Sequence, residues 1–287
     1  MKEQNYLDHL VGVFGHPAAE NPGVVIQEAA FRALGLERWH FLTIDVDPDK
    51  LGDAILGLKA MKFRGINCTI PHKIEVLKYI DKVAPSAALI GAVNTIINDD
   101  SVLTGENTDG QGFMIALKDA GISAVGKHVV ILGAGGAARA ISVELALAGA
   151  SHLTIVNIPK DMALGEGLVK ILKEKTTVAV DYVPWVGTLR IPADCDILLN
   201  ATSIGLYPQV TEKPDIDYDS IPKGAYIQDV IPNPAFTPFL QEADNRGFRW
   251  QSGMQMLVNQ AALNITMWTG LVPDKNVMLK ALEEALA

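Results

Sequence analysis

The chain has few of the features that support cross-links, metal binding, membrane insertion or nucleic-acid binding. Its two cysteines, Cys68 and Cys195, form no disulfide framework, and its six histidines include no pair spaced i, i+4, so we expect neither a disulfide nor a metal site. No run of about 18 apolar residues is present to span a membrane, and no basic stripe is present to bind a nucleic-acid backbone. The first residues lack the layout of a signal peptide, so we expect a cytoplasmic protein.

What is present is the composition of a globular protein with an acidic, solvated surface. Of the 287 residues, 49% are hydrophobic and 20% are charged, and the formal net charge is −9 with no block of like charge. A chain of this length is about right for two domains. The composition leaves open whether the protein is a monomer or a homodimer.

A glycine-rich stretch near the middle of the chain carries a nucleotide-binding pattern. The apolar run His128–Leu132 predicts a strand that stops at Gly133, and a helical pattern follows over Ala137–Ala148. Gly133, Gly135 and the small residue at 138 fit the G-x-G-x-x-G/A fingerprint of dinucleotide-binding folds. Because the strand precedes the glycines and the helix follows them, we expect a pyrophosphate-binding turn rather than an ordinary one.

Apolar runs and helical patterns alternate along the whole chain, which indicates an α/β protein with parallel strands. One exception is expected, because Asp99-Asp100-Ser101 between the runs Ala92–Asn98 and Leu103–Glu106 is a hairpin signal. No repeat or low-complexity linker marks a domain boundary. The position of the glycine fingerprint therefore places the boundaries, near Asp109–Gly110 and near Gly253.

Polar side chains lie at or near strand ends in the part of the chain before the fingerprint. Lys73 follows a proline that ends a predicted strand bearing Thr69, Asn94 interrupts an apolar run, and Asp109 belongs to a polar loop. Such residues are more often surface charges, turns and caps than catalytic groups. Ligands of open α/β sheets nevertheless bind at strand ends, and a lysine close to an aspartate supports proton transfer beside a hydride acceptor.

Together these segments resemble the shikimate dehydrogenase family, and the matching motifs run in family order over nearly the whole chain. The motifs are Gly65-x-Asn67-x-Thr69-x-Pro71-x-Lys73, Gly91-Ala-x-Asn94-Thr95, Asn107-Thr-Asp109-Gly110, Gly133-Ala-Gly-Gly-Ala137, Asn200-Ala-Thr202-x-x-Gly205, Asp229-x-x-x-x-Pro234 and Gly253-Met-x-Met256-Leu-x-x-Gln260-Ala261. Each motif alone is modest, but seven in order are hard to obtain by chance.

The resemblance implies two domains with the active site in a cleft between them. Residues 1–109 and 253–287 would form an α/β substrate domain, and residues 110–252 a Rossmann-like dinucleotide-binding domain. The implied reaction is hydride transfer between a nicotinamide and a secondary hydroxyl of a shikimate-like or quinate-like cyclic hydroxy acid.

By the same resemblance, Lys73 and Asp109 are the catalytic pair that moves the hydroxyl proton. Asn94, Asp109 and Gln260 would contact the substrate hydroxyls, with Thr69 beside them. The implied cofactor contacts are Gly133, Ala134, Gly135, Gly136, Ala137, Asn157, Ile158, Lys160, Thr202, Val230, Gly253 and Met256.

Two departures from the family pattern concern the substrate. The loop after the first strand has Asn21 and Gly23 where the family has a Ser-x-Ser pair that binds the substrate carboxylate. Asn21 can still donate a hydrogen bond, but Gly23 has no side chain, and a hydrogen bond to a charged group contributes about 1.5–3 kcal/mol. Shikimate should then bind less well. The substitutions reflect either drift in a tolerant loop or a change of substrate. Pro232 likewise replaces a tyrosine near the expected nicotinamide.

A third departure concerns the choice of cofactor. Family members that use NADP usually have Asn-Arg-Thr after the second strand of the cofactor domain, where this chain has Asn157, Ile158 and Pro159. Since isoleucine cannot pair with a 2′-phosphate, we expect NAD rather than NADP. Two features oppose this expectation: Lys160 can turn towards a phosphate, and no acidic residue stands at the strand end to bind both ribose hydroxyls.

We therefore expect an NAD(P)-dependent dehydrogenase of a small hydroxy acid. One alternative is a nucleotide-binding regulatory protein of the same fold, which the altered loop and Pro232 would suit. The intact Lys73, Asn94, Asp109 and Gln260 argue against it. The other alternative is a dehydrogenase of a different small alcohol.

Overall fold

The computed structural model describes residues 6–19 and 21–286 and divides into two compact units. The first unit consists of residues up to 108 together with 260–285, and the second consists of residues 109–259. The boundaries expected from the sequence, 109/110 and 252/253, stay predictions. Residues 1–5, 20 and 287, which the predicted ranges include, lie outside the described residues.

Fourteen strands and ten α-helices form the described part of the chain. The strands are β1 (His9–Gly15), β2 (Trp39–Asp45), β3 (Gly65–Cys68), β4 (Lys82–Val83), β5 (Thr95–Asp99), β6 (Val102–Glu106), β7 (His128–Leu132), β8 (His152–Asn157), β9 (Ala179–Pro184), β10 (Leu189–Arg190), β11 (Ile197–Asn200), β12 (Ile216–Asp217), β13 (Tyr226–Asp229) and β14 (Arg249–Gln251). The helices are α1 (Gly23–Ala33), α2 (Leu51–Ala60), α3 (His72–Glu75), α4 (Pro85–Ile90), α5 (Thr108–Asp119), α6 (Gly136–Leu147), α7 (Met162–Lys175), α8 (Pro238–Asn245), α9 (Gly253–Thr269) and α10 (Lys275–Leu286). None of these helices is long and apolar enough to cross a membrane.

The sheet of the first unit has the strand order β2-β1-β3-β5-β6-β4 and is mixed. β1 pairs in parallel with β2 and β3, whereas β5 is antiparallel to both β3 and β6. The α/β fold class is confirmed. The hairpin expected at Asp99-Asp100-Ser101 is present, and in the middle of this sheet it replaces the parallel arrangement expected for the rest of the chain. The reason is the turn between β5 and β6, where Asp100 and Ser101 take φ values of 51° and 71° and close a two-residue hairpin.

The mixed pairing decides which chain segments meet at one edge of this sheet. Because β5 runs opposite to β1, β3 and β6, the start of β5 lies between the ends of β3 and β6, at the sheet edge where β1 also ends. Asn94 immediately precedes β5, so it lies at the start of a strand, and this start is at the edge where β3 and β6 end. The loop after β1, the residues after β3 and the residues after β6 reach the same edge.

The sheet of the second unit has the order β14-β13-β11-β7-β8-β9, and all five of its pairings are parallel. All five residues of β7 are buried, which is typical of a central strand with both faces covered. The chain runs from β7 outward to β8 and β9 and then returns to β11 on the other side. The strand order therefore reverses between β7 and β11, and this is the place where doubly wound sheets bind dinucleotides.

Each sheet has its own apolar core. In the first unit, one cluster joins the face of the sheet to α2 through fully buried side chains such as Leu51, Ile55 and Ile66. In the second unit, another cluster packs β7, β11 and β13 against α8, with Leu198 and Phe239 at most 1% exposed. The rigid cores hold the strand ends, and the loops that follow the strands carry the polar residues.

Candidate active site

A buried hydrogen-bond network of amides and hydroxyls lies at the edge of the first unit's sheet where β5 begins. Asn94, Thr95, Thr108 and Asn264 are each at most 3% exposed. Thr108 Oγ1 donates to Asn264 Oδ1 at 2.9 Å and accepts from Asn94 Nδ2 at 3.0 Å. Thr95 Oγ1 also donates to Asn264 Oδ1, at 2.9 Å. Because a buried polar group left unpaired costs about 1–3 kcal/mol, this network holds the start of β5, the start of α5 and the middle of α9 in one arrangement.

Two of the predicted site residues extend from this network. Asp109 follows Thr108 directly, half-buried in the first turn of α5, and the N–H of Thr108 donates to Asn94 Oδ1 at 2.7 Å. Gln260 lies one helical turn before Asn264, and its Oε1 accepts from Asn264 Nδ2 at 3.2 Å. The network therefore fixes the backbone next to Asp109 and leaves the Nε2 group of Gln260 as a donor for a ligand.

Lys73 is held beside Asn94 by backbone contacts. The carbonyl of Lys73 accepts from the N–H of Val93 at 2.8 Å, and the carbonyl of Asn94 accepts from the N–H of Cys68 at 2.8 Å. The neighbouring His72 is buried and its Nε2 lies 2.9 Å from a backbone carbonyl of the segment after β2, which anchors α3. The backbone of Lys73, Asn94 and the end of β3 is thus brought together.

Thr69 lies one residue beyond β3, which ends at Cys68, so the expectation that Thr69 sits within the strand is wrong. Its N–H nevertheless continues the pairing with β1 by donating to the carbonyl of Phe14 at 2.9 Å. A Cβ added to Gly15 would lie 2.5 Å from Thr69 Cγ2. The glycine therefore lets the loop after β1 pass directly beside Thr69.

Two side chains hold the described parts of the segment between β1 and α1, residues 16–18 and 21–23. Asp45 accepts from the N–H of Ala18 at 2.9 Å and bonds His16 Nδ1 at 2.7 Å, and this side-chain bond lowers the pKa of Asp45 and raises that of His16. Asn21 Oδ1 accepts from the N–H of Gly23 at 2.9 Å. Only the amide NH2 of Asn21 is therefore left to donate to a ligand, where the family pattern has two serine hydroxyls.

The glycine turn of the second unit has the geometry that the fingerprint predicts. Gly133 takes a φ of 104°, and a Cβ added there would lie 2.7 Å from the carbonyl oxygen of Ala201, so only glycine fits. A Cβ added to Gly135 or Gly136 would meet nothing within 4 Å, and both residues are exposed at the start of α6. Ala134 is buried under the turn and Ala137 is half-buried. The free N–H groups at the start of α6 can therefore receive an anion.

Other predicted cofactor contacts lie against this turn or against each other. Thr202 adjoins Gly133, and its Oγ1 donates to an asparagine side chain at the end of β11 at 2.7 Å. A Cβ added to Gly253 would lie 2.1 Å from the carbonyl oxygen of Val230, so these two predicted contacts touch. Met256 follows in α9 and is 7% exposed.

Asp229 is a fully buried carboxylate that organises the loop after β13. It accepts from Thr237 Oγ1 at 2.7 Å, from Asn200 Nδ2 at 3.1 Å and from the N–H of Ile231 at 3.1 Å. Burial raises the pKa of Asp229 to about 6, and the three hydrogen bonds oppose that rise. The carboxylate thus fixes the backbone next to Val230.

The predicted adenosine end of the cofactor site lies after β8. Asn157 Nδ2 donates to a backbone carbonyl of the next turn at 2.8 Å, so Asn157 shapes that turn, while Ile158 and Lys160 are exposed on it. A cavity of about 430 Å³ opens beside Ile158 and is also lined by Trp185 and Lys213. Asn157, Ile158 and Lys160 therefore lie together at the carboxyl end of β8.

Sequence reasoning missed two residues of these sites. Asn264 completes the buried network, and its only sequence signal is its position four residues after Gln260, on the same helix face. Arg139, in α6, has a buried Nε with no hydrogen-bond partner among the described residues, and burial lowers its pKa. A guanidinium so close to the glycine turn is suited to an anionic ligand.

Comparison with known proteins gives matches over most of the chain. Residues 13–96 match the shikimate dehydrogenase substrate binding domain, and residues 253–283 match the shikimate 5′-dehydrogenase C-terminal domain. Shikimate dehydrogenase (NADP(+)) of Moorella thermoacetica is 41% identical over 96% of this chain and 93% of that protein.

Two solved structures are also similar. The ligand-free 5-ketofructose reductase of Gluconobacter sp. strain CHM43 is 44% identical, with a TM-score of 0.92 over 98% of this chain and 100% of that chain. Shikimate 5-dehydrogenase of Listeria monocytogenes, solved with shikimate and NAD, is 32% identical, with a TM-score of 0.89 over all of both chains. These matches confirm the resemblance to the shikimate dehydrogenase family and the assignment of the protein as a dehydrogenase.

The expected preference for NAD over NADP is wrong. Curated relatives at 41%, 36% and 37% identity are named for NADP(+). The expectation of NAD rested on a single position, Ile158. An isoleucine there cannot form an ion pair with a 2′-phosphate, but it does not prevent another residue from forming one. Lys160, two residues further on, is exposed on the same turn and carries the required charge.

Proposed function

Since this chain belongs to the shikimate dehydrogenase family, we propose that Lys73 and Asp109 are its proton-transfer pair. The protein is an NAD(P)-dependent oxidoreductase that transfers a hydride between a nicotinamide and a secondary hydroxyl of a shikimate-like or quinate-like substrate. The observation that carries the assignment of the pair is the buried network. It fixes the residue before Asp109, and through Asn94 it connects to the segment that holds Lys73.

Each residue of the site has a defined task in this proposal. Lys73 and Asp109 together take the hydroxyl proton as the alcohol carbon loses its hydride, and they return it when the ketone is reduced. Gln260 donates from Nε2 to a further oxygen of the substrate, and Thr69 contacts a neighbouring hydroxyl. Asn94 is already engaged with Thr108, so its main effect is to hold the site together, and its predicted contact with a substrate hydroxyl stays a prediction.

The residues of the second unit fit a dinucleotide. The open space over Gly135 and Gly136, the exposed start of α6 and the Nε of Arg139, which has no hydrogen-bond partner in the described part of the chain, suit a pyrophosphate. When bound, the nicotinamide accepts or supplies the hydride. We propose that Asn157, Ile158 and Lys160 contact the adenosine end and that Thr202, Val230, Gly253 and Met256 line the remainder, in addition to Gly133, Ala134 and Ala137.

Replacing Lys73 with methionine tests the proposed pair. We expect Lys73→Met to lower kcat at least 100-fold, because a positioned proton-transfer group contributes about 10²–10⁴-fold, while the thermal unfolding midpoint stays within about 2 °C. Lys78→Met is a matched control, since Lys78 is an exposed lysine of the next helical turn whose Nζ contacts Glu75. Unchanged turnover in Lys73→Met would refute the assignment.

A second candidate substrate is a polyhydroxy ketone without a carboxylate, such as 5-ketofructose. Two observations favour it. Asn21 and Gly23 leave a single neutral donor where the family pattern has a Ser-x-Ser pair, and the similar Gluconobacter protein is named for reduction of 5-ketofructose. A neutral substrate needs fewer charge-assisted hydrogen bonds from this loop than a carboxylate does.

A substrate panel with a loop variant decides between the two candidates. Initial rates with shikimate, quinate and 5-ketofructose are measured with NAD(H) and NADP(H). In Asn21→Ser combined with Gly23→Ser, kcat/KM for shikimate should rise about 10–100-fold if the loop excludes the carboxylate. The double change is needed because a Cβ at position 23 would lie 2.8 Å from the Oδ1 of Asn21. Fast shikimate turnover by the unaltered protein would rule out the neutral substrate as the preferred one.

The proposal also includes the location of the protein in the cell and its oligomeric state. We keep the cytoplasm as the expected location, which cell fractionation tests. A monomer or a homodimer is expected, and light scattering of the purified protein distinguishes the two.

A further inference from the structure

Two histidines lie side by side at the amino end of the second unit's sheet. His128 begins β7 and His152 begins β8, and the parallel register pairs them directly. Their rings stack with centroids 4.1 Å apart and planes inclined by 17°. This edge is opposite to the glycine turn, which follows the carboxyl end of β7 about 16 Å away along the strand.

Both imidazoles use one ring nitrogen for an outer hydrogen bond. Nε2 of His128 lies 2.8 Å from Thr154 Oγ1, and Nε2 of His152 lies 2.9 Å from Asp181 Oδ2. The remaining ring nitrogen of each histidine is Nδ1. Histidines that bind metals in proteins are usually held in this way, with one nitrogen bonded to an oxygen and the other presented to the metal.

The Nδ1 atom of His128 faces a carboxylate oxygen. His128 is 5% exposed, and its Nδ1 is buried without a hydrogen bond that meets the usual angles among the described residues, while Asp194 Oδ1 lies 3.2 Å away. In the tautomer in which Nε2 donates to Thr154, the lone pair of Nδ1 and the carboxylate point at each other. This tautomer presents two ligand atoms to one cation.

We propose that His128, His152 and Asp194 bind a divalent transition-metal ion of the Zn²⁺ type. One ligand atom from each residue lies within 4.8 Å of the others. Bonds of about 2.0–2.1 Å in a tetrahedral site place ligand atoms about 3.3 Å apart, so rotation of the exposed Asp194 side chain and a small shift of His152 complete the site. Two imidazoles and a carboxylate suit zinc, nickel or copper rather than magnesium or calcium.

The surroundings of the cluster favour a cation. Lys127 is the nearest basic neighbour in sequence, and its Nζ is paired with Asp196 at 2.8 Å. Asp181 and Asp194 contribute negative charge, and Asp194 is 75% exposed, which leaves a path for the ion from solvent. Because the site joins the starts of β7 and β8 to the loop before β11, the bound ion would stabilise the second unit rather than take part in catalysis.

Calorimetric titration of the untagged, EDTA-treated protein with Zn²⁺ tests the proposal. We expect one saturable site per chain and no heat with Mg²⁺. At a free Zn²⁺ concentration 100 times Kd, the unfolding midpoint should rise by about 5–10 °C. Absence of a saturable site would overturn the proposal, whatever the activity of the enzyme.

Variants at the accessible ligands localise the ion. Asp194→Asn and His152→Gln should each weaken Zn²⁺ binding at least 10-fold, and Asp181→Asn, which acts through His152, should weaken it about 10–100-fold. His40→Gln is the matched control, because His40 is a half-exposed histidine of the first unit. His128→Gln is secondary, since the buried ring also supports the fold. Unchanged affinity in both Asp194→Asn and His152→Gln would refute the site.

Discussion

Replacing Asp229 with asparagine should change how the stability of the second unit depends on pH. Asp229 is fully buried, and burial raises its pKa from an ordinary value of 3.8 to about 6. Between these values the folded protein keeps a proton that the unfolded chain releases. The stabilisation from this group is therefore fully present below about pH 3.8 and is lost as the pH rises through about 6.

The magnitude follows from the two pKa values. Their separation, at 1.36 kcal/mol for each pKa unit, corresponds to about 3 kcal/mol, and most of it falls between pH 4 and pH 7. The asparagine side chain cannot ionise, so the variant lacks this dependence. Asparagine also cannot accept from Thr237, Asn200 and the N–H of Ile231 together, but that cost is constant with pH and cancels in the comparison.

Urea unfolding of the protein and of Asp229→Asn, followed by circular dichroism at several values between pH 4 and pH 7.5, measures the effect. The stability of the parent relative to the variant should fall by about 2 kcal/mol from pH 4 to pH 7. Asp219→Asn, at an exposed position of the same unit, should show no such trend. A parent–variant difference that stays constant within about 0.5 kcal/mol would refute the reasoning.

Three further predictions concern the glycine turn, the buried network and the thiols. Gly133→Ala should weaken dinucleotide binding at least 10-fold and destabilise the fold by about 1–3 kcal/mol, whereas Gly247→Ala, at a φ of 73° in open space, should leave binding unchanged in a fluorescence titration. Thr108→Val should cost about 1–3 kcal/mol in urea unfolding and lower kcat, and Thr108→Ser should restore both. Cys68 and Cys195 are buried with pKa values raised to about 12, so a thiol reagent at pH 8 should label neither before denaturation and both afterwards.

Features that depend on neighbouring residues were predictable from the sequence. The strand His128–Leu132 has the bounds that the apolar run predicts, and the helix after it begins at Gly136, one residue before the predicted start. The positive φ of Gly133 also follows from the fingerprint. These features are local, because the spacing of apolar residues determines the strand and the helix, and glycine is the residue type that tolerates the turn between them.

The composition of the site was only partly predictable. Lys73, Asn94, Asp109 and Gln260 stand out by motif, but Asn264 has no signal apart from its spacing, because its role depends on where α9 packs. The choice of NAD from Ile158 failed for a related reason. A phosphate is bound by whichever cations reach it in three dimensions, and a single sequence position does not report them.

The sequence by itself determined the fold class and the glycine turn, and it supplied the proposed reactive side chains, since each depends on residue type and short spacing. Only the tertiary structure decided that β5 of the hairpin also pairs with β3, which puts Asn94 at the edge where β3 and β6 end. It also decided that His128 and His152, which lie 24 residues apart in sequence, stack across two strands. Strand direction and register depend on pairing between distant segments, and no local pattern specifies that pairing.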